Sequence, residues 1–286
     1  MARQIVVDTQ LLHELCGNKE NVFIAPQHHP STKEPEKWSL EGPRKQLKRK
    51  MKRALRGLQN AASGIEAQHA IASLCYQASF DGDSSQDDKG EQNFCQLLFR
   101  LKAIPIILEA LAEWNESLPF ASQAVILLIK LTYFEPTKSL ASLANMVEGQ
   151  NGIQLLLKVG TCYRDDLNLS ADILMVLENL SHHHVSVLDL ENRKPSCFDW
   201  MQVLATSSCI DFVATKMQDY PDDDILQRNA CGYIESIGYF ACSHHKLCER
   251  GIPFLLEYTI DNVAFSNTSV ASQAREALYV IDNHYQ

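Results

Sequence analysis

The feature that most constrains the fold is an apolar helical pattern that returns five times between residues 60 and 286. Aligned without gaps, the five segments share one equivalent position, which we call the anchor, and an aliphatic residue follows it seven positions later. Because positions i and i+7 lie on one face of an α-helix, each segment predicts a helix with one buried face. The anchors are Ala67, Ala124, Ile173, Ala230 and Ala274, and the residues seven positions later are Leu74, Leu131, Leu180, Ile237 and Ile281.

The anchors follow one another at intervals of 57, 49, 57 and 44 residues. These intervals are irregular, but they lie near the period of about 40–47 residues that is typical of helical repeat arrays. One small helical unit cannot bury its apolar face alone, so neighbouring units stack and share a continuous core. The pattern therefore predicts an all-α repeat protein. Two connections, an acidic one over residues 81–93 and a longer one over residues 182–200, interrupt the period.

A second class of short apolar helix alternates with the first. Its openings read A-I-P-I-I-L from Ala103, G-I-Q-L-L-L from Gly152, C-I-D-F-V-A from Cys209 and G-I-P-F-L-L from Gly251. Glycine suits the end of one helix and proline suits the first turn of the next. This order resembles the armadillo family over about residues 60–286. The resemblance implies an all-α, right-handed superhelical solenoid of about five armadillo-like repeats.

The resemblance also implies a binding surface. In armadillo proteins the long helix lines a concave groove that holds extended peptides, with contacts two and six residues after the anchor. Family members that import nuclear cargo have Trp and Asn at these two positions. Here only Asn179 matches, and none of the positions holds Trp, which disfavours a role as a nuclear-import receptor. We expect a protein–protein interaction scaffold or adaptor that binds a partner protein or peptide along the concave face. The expected groove residues are His69, Ser73, Ile126, Lys130, Met175, Asn179, Gly232 and Ser236.

A basic segment precedes the repeats. Leu47, Met51, Leu55 and Leu58 share one helical face, which predicts a basic amphipathic helix over residues 44–58. It suits a cap over the first repeat, a nuclear-localisation segment, a contact with nucleic acid or acidic lipid, or a helix that meets a partner or the acidic body. The alternative function is therefore nucleic-acid or acidic-surface binding through residues 44–56. The basic residues are Arg44, Lys45, Lys48, Arg49, Lys50, Lys52, Arg53 and Arg56.

Charge separates this segment from the rest of the chain. The whole chain has a formal net charge of -9, and residues 57–286 are strongly acidic. An acidic body repels phosphate, which argues against nucleic acid as the ligand of the repeats themselves.

The N-terminal part predicts a helix over residues 1–17, a flexible proline-containing linker over residues 18–43, and the repeat domain over residues 59–286. The first residues lack a basic start followed by a long apolar run, so no signal peptide is expected. No apolar run reaches the roughly 18–20 residues of a membrane-spanning helix. With nine cysteines and no C-x-x-C pair, an intracellular location, cytoplasmic and/or nuclear, is expected.

Motifs for catalysis are not found in the sequence. It contains no G-x-S-x-G, P-loop, G-x-G-x-x-G or H-E-x-x-H, so neither an enzyme nor a cofactor is expected. Cys242, His244, His245 and Cys248 lie within seven residues, but zinc sites usually combine two separated pairs of ligands. We therefore expect polar loop residues beside a buried Cys248 and no metal. The histidines at 182–184 are expected to follow the end of a helix.

The last predicted helix places Leu278 and Ile281 where no further helix is predicted to cover them. Their exposure would favour self-association. The identity of the partner protein does not follow from any motif in the chain.

Overall fold

The computed structural model describes residues 43–80, 88–133, 151–187, 202–263 and 268–283. These residues form twelve helices and one helical turn at residues 202–204, and no strand is assigned among them, which confirms the all-α prediction for this part of the chain. The predicted N-terminal helix and linker, up to residue 42, lie outside the described residues. The helices are α1 (Pro43–Gln59), α2 (Gly64–Phe80), α3 (Asp88–Arg100), α4 (Ala103–Trp114), α5 (Leu118–Tyr133), α6 (Gly152–Cys162), α7 (Leu167–Val187), α8 (Ser207–Asp219), α9 (Asp224–Gly238), α10 (Ala241–Glu249), α11 (Ile252–Val263) and α12 (Thr268–Asn283).

Ten of these helices pack as two rows. The anchor row consists of α2, α5, α7, α9 and α12, which carry the five anchors. The cover row consists of α1, α4, α6, α8 and α11. Each helix contacts the next member of its own row, and each anchor-row helix also contacts the cover-row helix that precedes it. Helix α3 packs on α4 and α5, and α10 packs on α9 and α11.

The anchors lie in the hydrophobic core that the helices of both rows share. All five are 0% exposed, and the aliphatic residues seven positions later are at most 3% exposed, which confirms the predicted buried face. Small side chains at four of the five anchors allow neighbouring helix axes to approach closely. Ile281 is 2% exposed and Leu278 is partly buried, so the expectation that both are exposed is wrong. The outward side of α12 instead carries polar residues such as Ser272 and Arg275.

Local sequence sets the ends of several helices. The side chain of Asp223 accepts hydrogen bonds from the backbone N–H groups of Ile225 (3.2 Å) and Leu226 (2.8 Å) at the start of α9. This satisfies donors that have no partner within the helix. Gly251, with φ of 68°, precedes α11, and its N–H donates to the Cys248 carbonyl at 3.0 Å. The predicted glycine C-cap is confirmed.

Two predicted connections are partly helical. Helix α3 begins at Asp88, so a loop through residue 93 is wrong. Helix α7 continues to Val187, so the histidines at 182–184 lie within it rather than after its end. The C-terminal part of α3 is held in the core by its buried apolar residues. Extending an existing helix by another turn then costs little free energy, because each residue that becomes ordered also forms one backbone hydrogen bond.

A buried lysine joins α8 to the end of α6. Lys216 is 2% exposed, its Nζ donates to the Arg164 carbonyl at 2.6 Å, and it lies 5.7 Å from the ring centroids of Phe212 and Tyr220. Burial lowers the pKa of Lys216. Carbonyl groups at the C-terminal end of a helix attract a cation, so this contact fixes the cover row at its centre.

Among the described residues, no helix is both long enough and apolar enough to cross a membrane.

Replacement of Tyr233 by Phe tests the packing of α9 against the segment that contains Leu204, just before α8. Tyr233 is 0% exposed and its hydroxyl donates to the Leu204 carbonyl. Loss of the hydroxyl leaves a carbonyl without this partner, so we expect the free energy of unfolding to fall by about 1–3 kcal/mol in urea denaturation. The control is Tyr258→Phe, because Tyr258 is 41% exposed on α11. Equal stability of both variants would contradict the described packing.

Candidate functional site

The anchor row carries one face that its neighbours do not bury completely. Positions two, five, six and nine after the anchor share this side of each helix, because they are spaced by three or four residues. We call it the anchor-row face. Of the expected groove residues, His69 and Ser73 are exposed. Gly232 and Ser236 are buried. The other four are partly exposed: Ile126, Lys130, Met175 and Asn179.

Asn179, one of the expected groove residues, connects two anchor-row helices. Its side-chain Nδ2 donates to the hydroxyl of Thr132 at 3.1 Å and to the carbonyl of Ile129 at 3.4 Å, both on α5. This amide therefore helps to fix the spacing of α5 and α7 at the face, besides lining a cavity there.

The cavity has a volume of about 290 Å³. It spans four consecutive anchor-row helices, so the stacking of the row creates it. It is lined by Tyr133 of α5, Glu178, Asn179 and His182 of α7, Gly232 and Glu235 of α9, and Gln273 of α12.

Gly232 of α9 lines this cavity and has no side chain to fill it. A Cβ at this position would overlap Oε1 of Glu178 and lie 2.9 Å from Nε2 of Gln273. The absence of a side chain therefore lets the Glu178 carboxylate of α7 lie directly against α9. Gly232 lines the cavity although it is buried, whereas Ser236, at 3% exposure, has almost no surface to offer a partner.

Two carboxylates in the cavity are held in an unfavourable electrostatic environment. Burial, with a contribution from Glu235, raises the pKa of Glu178 to about 7, against the opposing attraction of Arg228. Burial and the neighbouring Glu276 raise the pKa of Glu235, while His182 and a hydrogen bond from Gln273 act in the opposite direction. Removal from water penalises the charged form of a carboxylate, and a nearby like charge adds to the penalty.

Exposed aromatic side chains lie at the end of the same face. Nine positions after the anchors stand Tyr76, Tyr133, His182 and Tyr239, and these tyrosines are 46%, 64% and 41% exposed. Tyr279 of α12 is 62% exposed. Burial raises the pKa of Tyr239, as do the charges of Glu235 and Glu276.

The prediction from the sequence missed these carboxylates and tyrosines. They occupy positions five and nine after the anchor, whereas the family resemblance directs attention to positions two and six. The same ungapped alignment, read over the whole helical face, would have found Tyr76, Tyr133 and Tyr239, which we call the tyrosine column. It would not have found the burial of Glu178, which depends on a glycine in a different helix.

The cysteine–histidine segment is a helix rather than a polar loop. In α10, His244 is buried and its Nε2 is hydrogen bonded to the Gly238 carbonyl, and His245 pairs with Glu249 at 3.2 Å. Cys248 is exposed, so its predicted burial is wrong, because Leu247 takes the inward position. Within the described ranges, no group of three or more His, Cys, Asp or Glu residues is placed to hold a metal ion.

The basic helix α1 lies on the cover row. Met51, Leu55 and Leu58 are at most 4% exposed and α1 packs on α2 and α4, as expected for a cap. Its basic side chains from Lys45 to Arg56 are exposed; the side chain of Arg44 lies outside the described residues. Lys45 and Lys48 also line a cavity of about 200 Å³ shared with α3, whose Arg100 adds a third cation.

No model of a known protein family matches this chain, and no curated protein sequence matches it either. Inferences about function therefore depend on the geometry of the anchor-row face and of α1.

The pH dependence of stability tests the environment of Glu178. A raised pKa means that the folded protein binds this proton more tightly than the unfolded chain does. Its contribution to stability is therefore greatest below the ordinary value of 4.5 and is lost as pH rises through about 7. We expect Glu178→Gln to gain on the order of 2 kcal/mol over wild type between pH 5 and pH 8, measured by urea denaturation.

The matched control is Glu257→Gln, because Glu257 is exposed on α11. Its stability should follow the wild-type pH profile. A Glu178→Gln profile parallel to wild type would show that Glu178 is ionised and solvated throughout this range.

Proposed function

We propose that the chain is a protein-interaction scaffold that binds an extended segment of a partner protein along the anchor-row face. The observation that carries this proposal is the tyrosine column beside a cavity that spans four consecutive helices. The proposed function involves neither a cofactor nor a catalytic step.

The proposed architecture is an armadillo-like, right-handed solenoid of about five repeats within residues 59–286. Its support is the order of contacts: two rows of helices, each helix touching the next in its row, and five successive pairs between the rows. Stacked repeats of this kind present a long face to which an extended chain binds. A segment that follows the row would meet equivalent positions of α5, α7, α9 and α12 in turn.

The side chains of the face suit protein recognition. Tyrosine provides a large contact area with a polar end, and tyrosines are enriched among the residues that dominate binding energy at interfaces. Three of the exposed tyrosines occupy one repeat position, so a single extended chain could contact them in sequence.

We also propose an intracellular location, cytoplasmic or nuclear. Burial raises the pKa of the Cys75 and Cys231 thiols to about 12, which keeps these thiols protonated and unreactive. Buried thiols of this kind fit a reducing compartment.

A second candidate function uses α1, which would bind nucleic acid or an acidic surface. The observation in its favour is that the apolar stripe of α1 is buried while its cations from Lys45 to Arg56 face outward. A cap for the first repeat does not require so many positive charges, whereas an electrostatic contact does.

Selection from a displayed library of random peptides tests the leading proposal. We expect selected peptides to lose at least tenfold in affinity for the double variant Tyr133→Ser and Tyr239→Ser, because two aromatic contacts are removed. The control is Tyr258→Ser, since Tyr258 in the cover row is 41% exposed, as Tyr239 is. Selection of no peptide, or equal losses in both variants, would contradict binding at the anchor-row face.

Salt dependence tests the second candidate. If α1 binds a labelled duplex DNA or anionic vesicles, the binding constant should fall steeply with salt, with a slope set by the number of phosphates contacted. Charge reversal at Lys48 and Lys52 should reduce that slope and leave peptide binding unchanged. Binding that is insensitive to salt and to these substitutions would contradict a role for α1.

A further inference from the structure

The carboxylates of the anchor-row face come from three consecutive helices of one row. Glu178 belongs to α7, Glu235 to α9 and Glu276 to α12, and the charges of neighbouring pairs act on one another. Glu178 and Glu235 also occupy the same repeat position, five residues after the anchor. The face therefore repeats a negative group at the spacing of its helices, next to exposed tyrosines.

The cavity itself remains acidic although positive groups lie near these carboxylates. Arg228 acts on Glu178 and His182 acts on Glu235. Arg228 is exposed and does not line the cavity, so water screens its attraction. The cavity is lined by two carboxylates and one histidine among otherwise uncharged groups. A cation that entered would offset the loss of hydration that burial imposes on the carboxylates, and it would also reduce their mutual repulsion.

The chemistry of the lining favours a guanidinium group over a metal ion or an ammonium group. No group of three candidate metal ligands occurs in the part of the chain that the structure describes. A guanidinium group is planar, pairs with a carboxylate through two hydrogen bonds and stacks on aromatic rings. Tyr133 lines the cavity together with both carboxylates, and Tyr239 follows Glu235 by four residues at the end of α9, which puts the two side chains on one helical face. Both kinds of contact are therefore available at one place.

A ligand that passes from α7 to α9 advances by about one helix spacing. Packed helices lie about 8–10 Å apart, and an extended chain advances about 3.1–3.4 Å for each residue. About three residues of the ligand therefore span the step from α7 to α9. In the polyproline II conformation residues i and i+3 also point in the same direction, because this helix has three residues per turn.

Resting on the proposed function, we infer that the anchor-row face binds an extended segment of a partner protein whose arginine side chains, three residues apart, pair with Glu178 and Glu235. Gly232 is a positioning residue in this arrangement, because it lets the Glu178 carboxylate lie against α9.

Fluorescence anisotropy with labelled synthetic peptides and the full chain tests this inference. The probes share one composition of glycine and serine and carry R-x-x-R, R-x-x-x-x-R, K-x-x-K or E-x-x-E. We expect R-x-x-R to bind most tightly, at least tenfold more tightly than E-x-x-E and several-fold more tightly than the other two. Equal affinities for R-x-x-R and E-x-x-E would overturn the inference.

The double variant Glu178→Gln and Glu235→Gln should weaken R-x-x-R binding at least tenfold. The control with the same change in net charge is Glu257→Gln with Asp261→Asn, both exposed on α11, and it should bind like wild type. An equal loss in both double variants would show attraction by net charge alone and would overturn the assignment to these two residues.

A pH series and one further variant separate a direct role from a structural one. The affinity of wild type for R-x-x-R should rise from pH 5.5 to pH 8, because the raised pKa values of Glu178 and Glu235 mean that these carboxylates, which share the cavity with His182, gain negative charge over this range. Glu178→Gln should flatten the rise. Gly232→Ala should keep the fold and weaken binding several-fold, since its Cβ displaces the carboxylate; unchanged affinity would remove Gly232 from the site.

The outcomes distinguish the inference from the proposal that it rests on. If peptides bind and lose affinity only in the tyrosine double variant, the arginine assignment fails and the anchor-row face remains the binding site. If no peptide from the library or from the synthetic set binds, both are overturned.

Discussion

Burial of the anchor residues between consecutive helices is the interaction on which the rest of the structure depends. Each anchor-row helix contacts at least one other helix of its row and the preceding cover-row helix, and its anchor and the residue seven positions later belong to the shared hydrophobic core. Removal of this apolar surface from water stabilises the fold by about 25 cal/mol for each Å² buried. No single pair of helices could bury these surfaces alone, so the rows form one continuous core.

The same packing decides which positions remain for binding. Neighbouring helices and the cover row bury the anchor side of each anchor-row helix, whereas positions two, five, six and nine after the anchor keep access to the surface on α2, α5 and α7. These positions recur on every helix of the row. A site on this face is therefore built from several repeats, and its spacing is the spacing of the helices.

The glycine at position 232 shows how one residue can change such a face locally. With alanine there, the Glu178 carboxylate would be pushed away from α9. With glycine, the carboxylate is partly buried and its pKa is raised to about 7. A helix-interior glycine costs about 1 kcal/mol of stability relative to alanine, and in this protein it makes room for a charged group from the neighbouring helix.

Much of the fold could be predicted from the sequence, because the anchors and the residues seven positions later follow a helical period that one chain displays without further information. The stripe of α1 and the glycine turn before α11 follow from equally local rules. The extent of α3 and α7, the burial of His244 and the environment of Glu178 could not be predicted. They depend on contacts between helices far apart in sequence, such as α7 with α9, and hydropathy patterns do not encode these distances.

Photo-cross-linking of a bound peptide tests the central claim most directly. A peptide selected for binding, with a photoreactive residue at its centre, is cross-linked to the full chain and the modified residues are identified by mass spectrometry. The account predicts cross-links in the C-terminal halves of α5, α7 and α9, around Tyr133, His182 and Tyr239. Cross-links confined to α1 or to the cover-row helices α6 and α8 would contradict it.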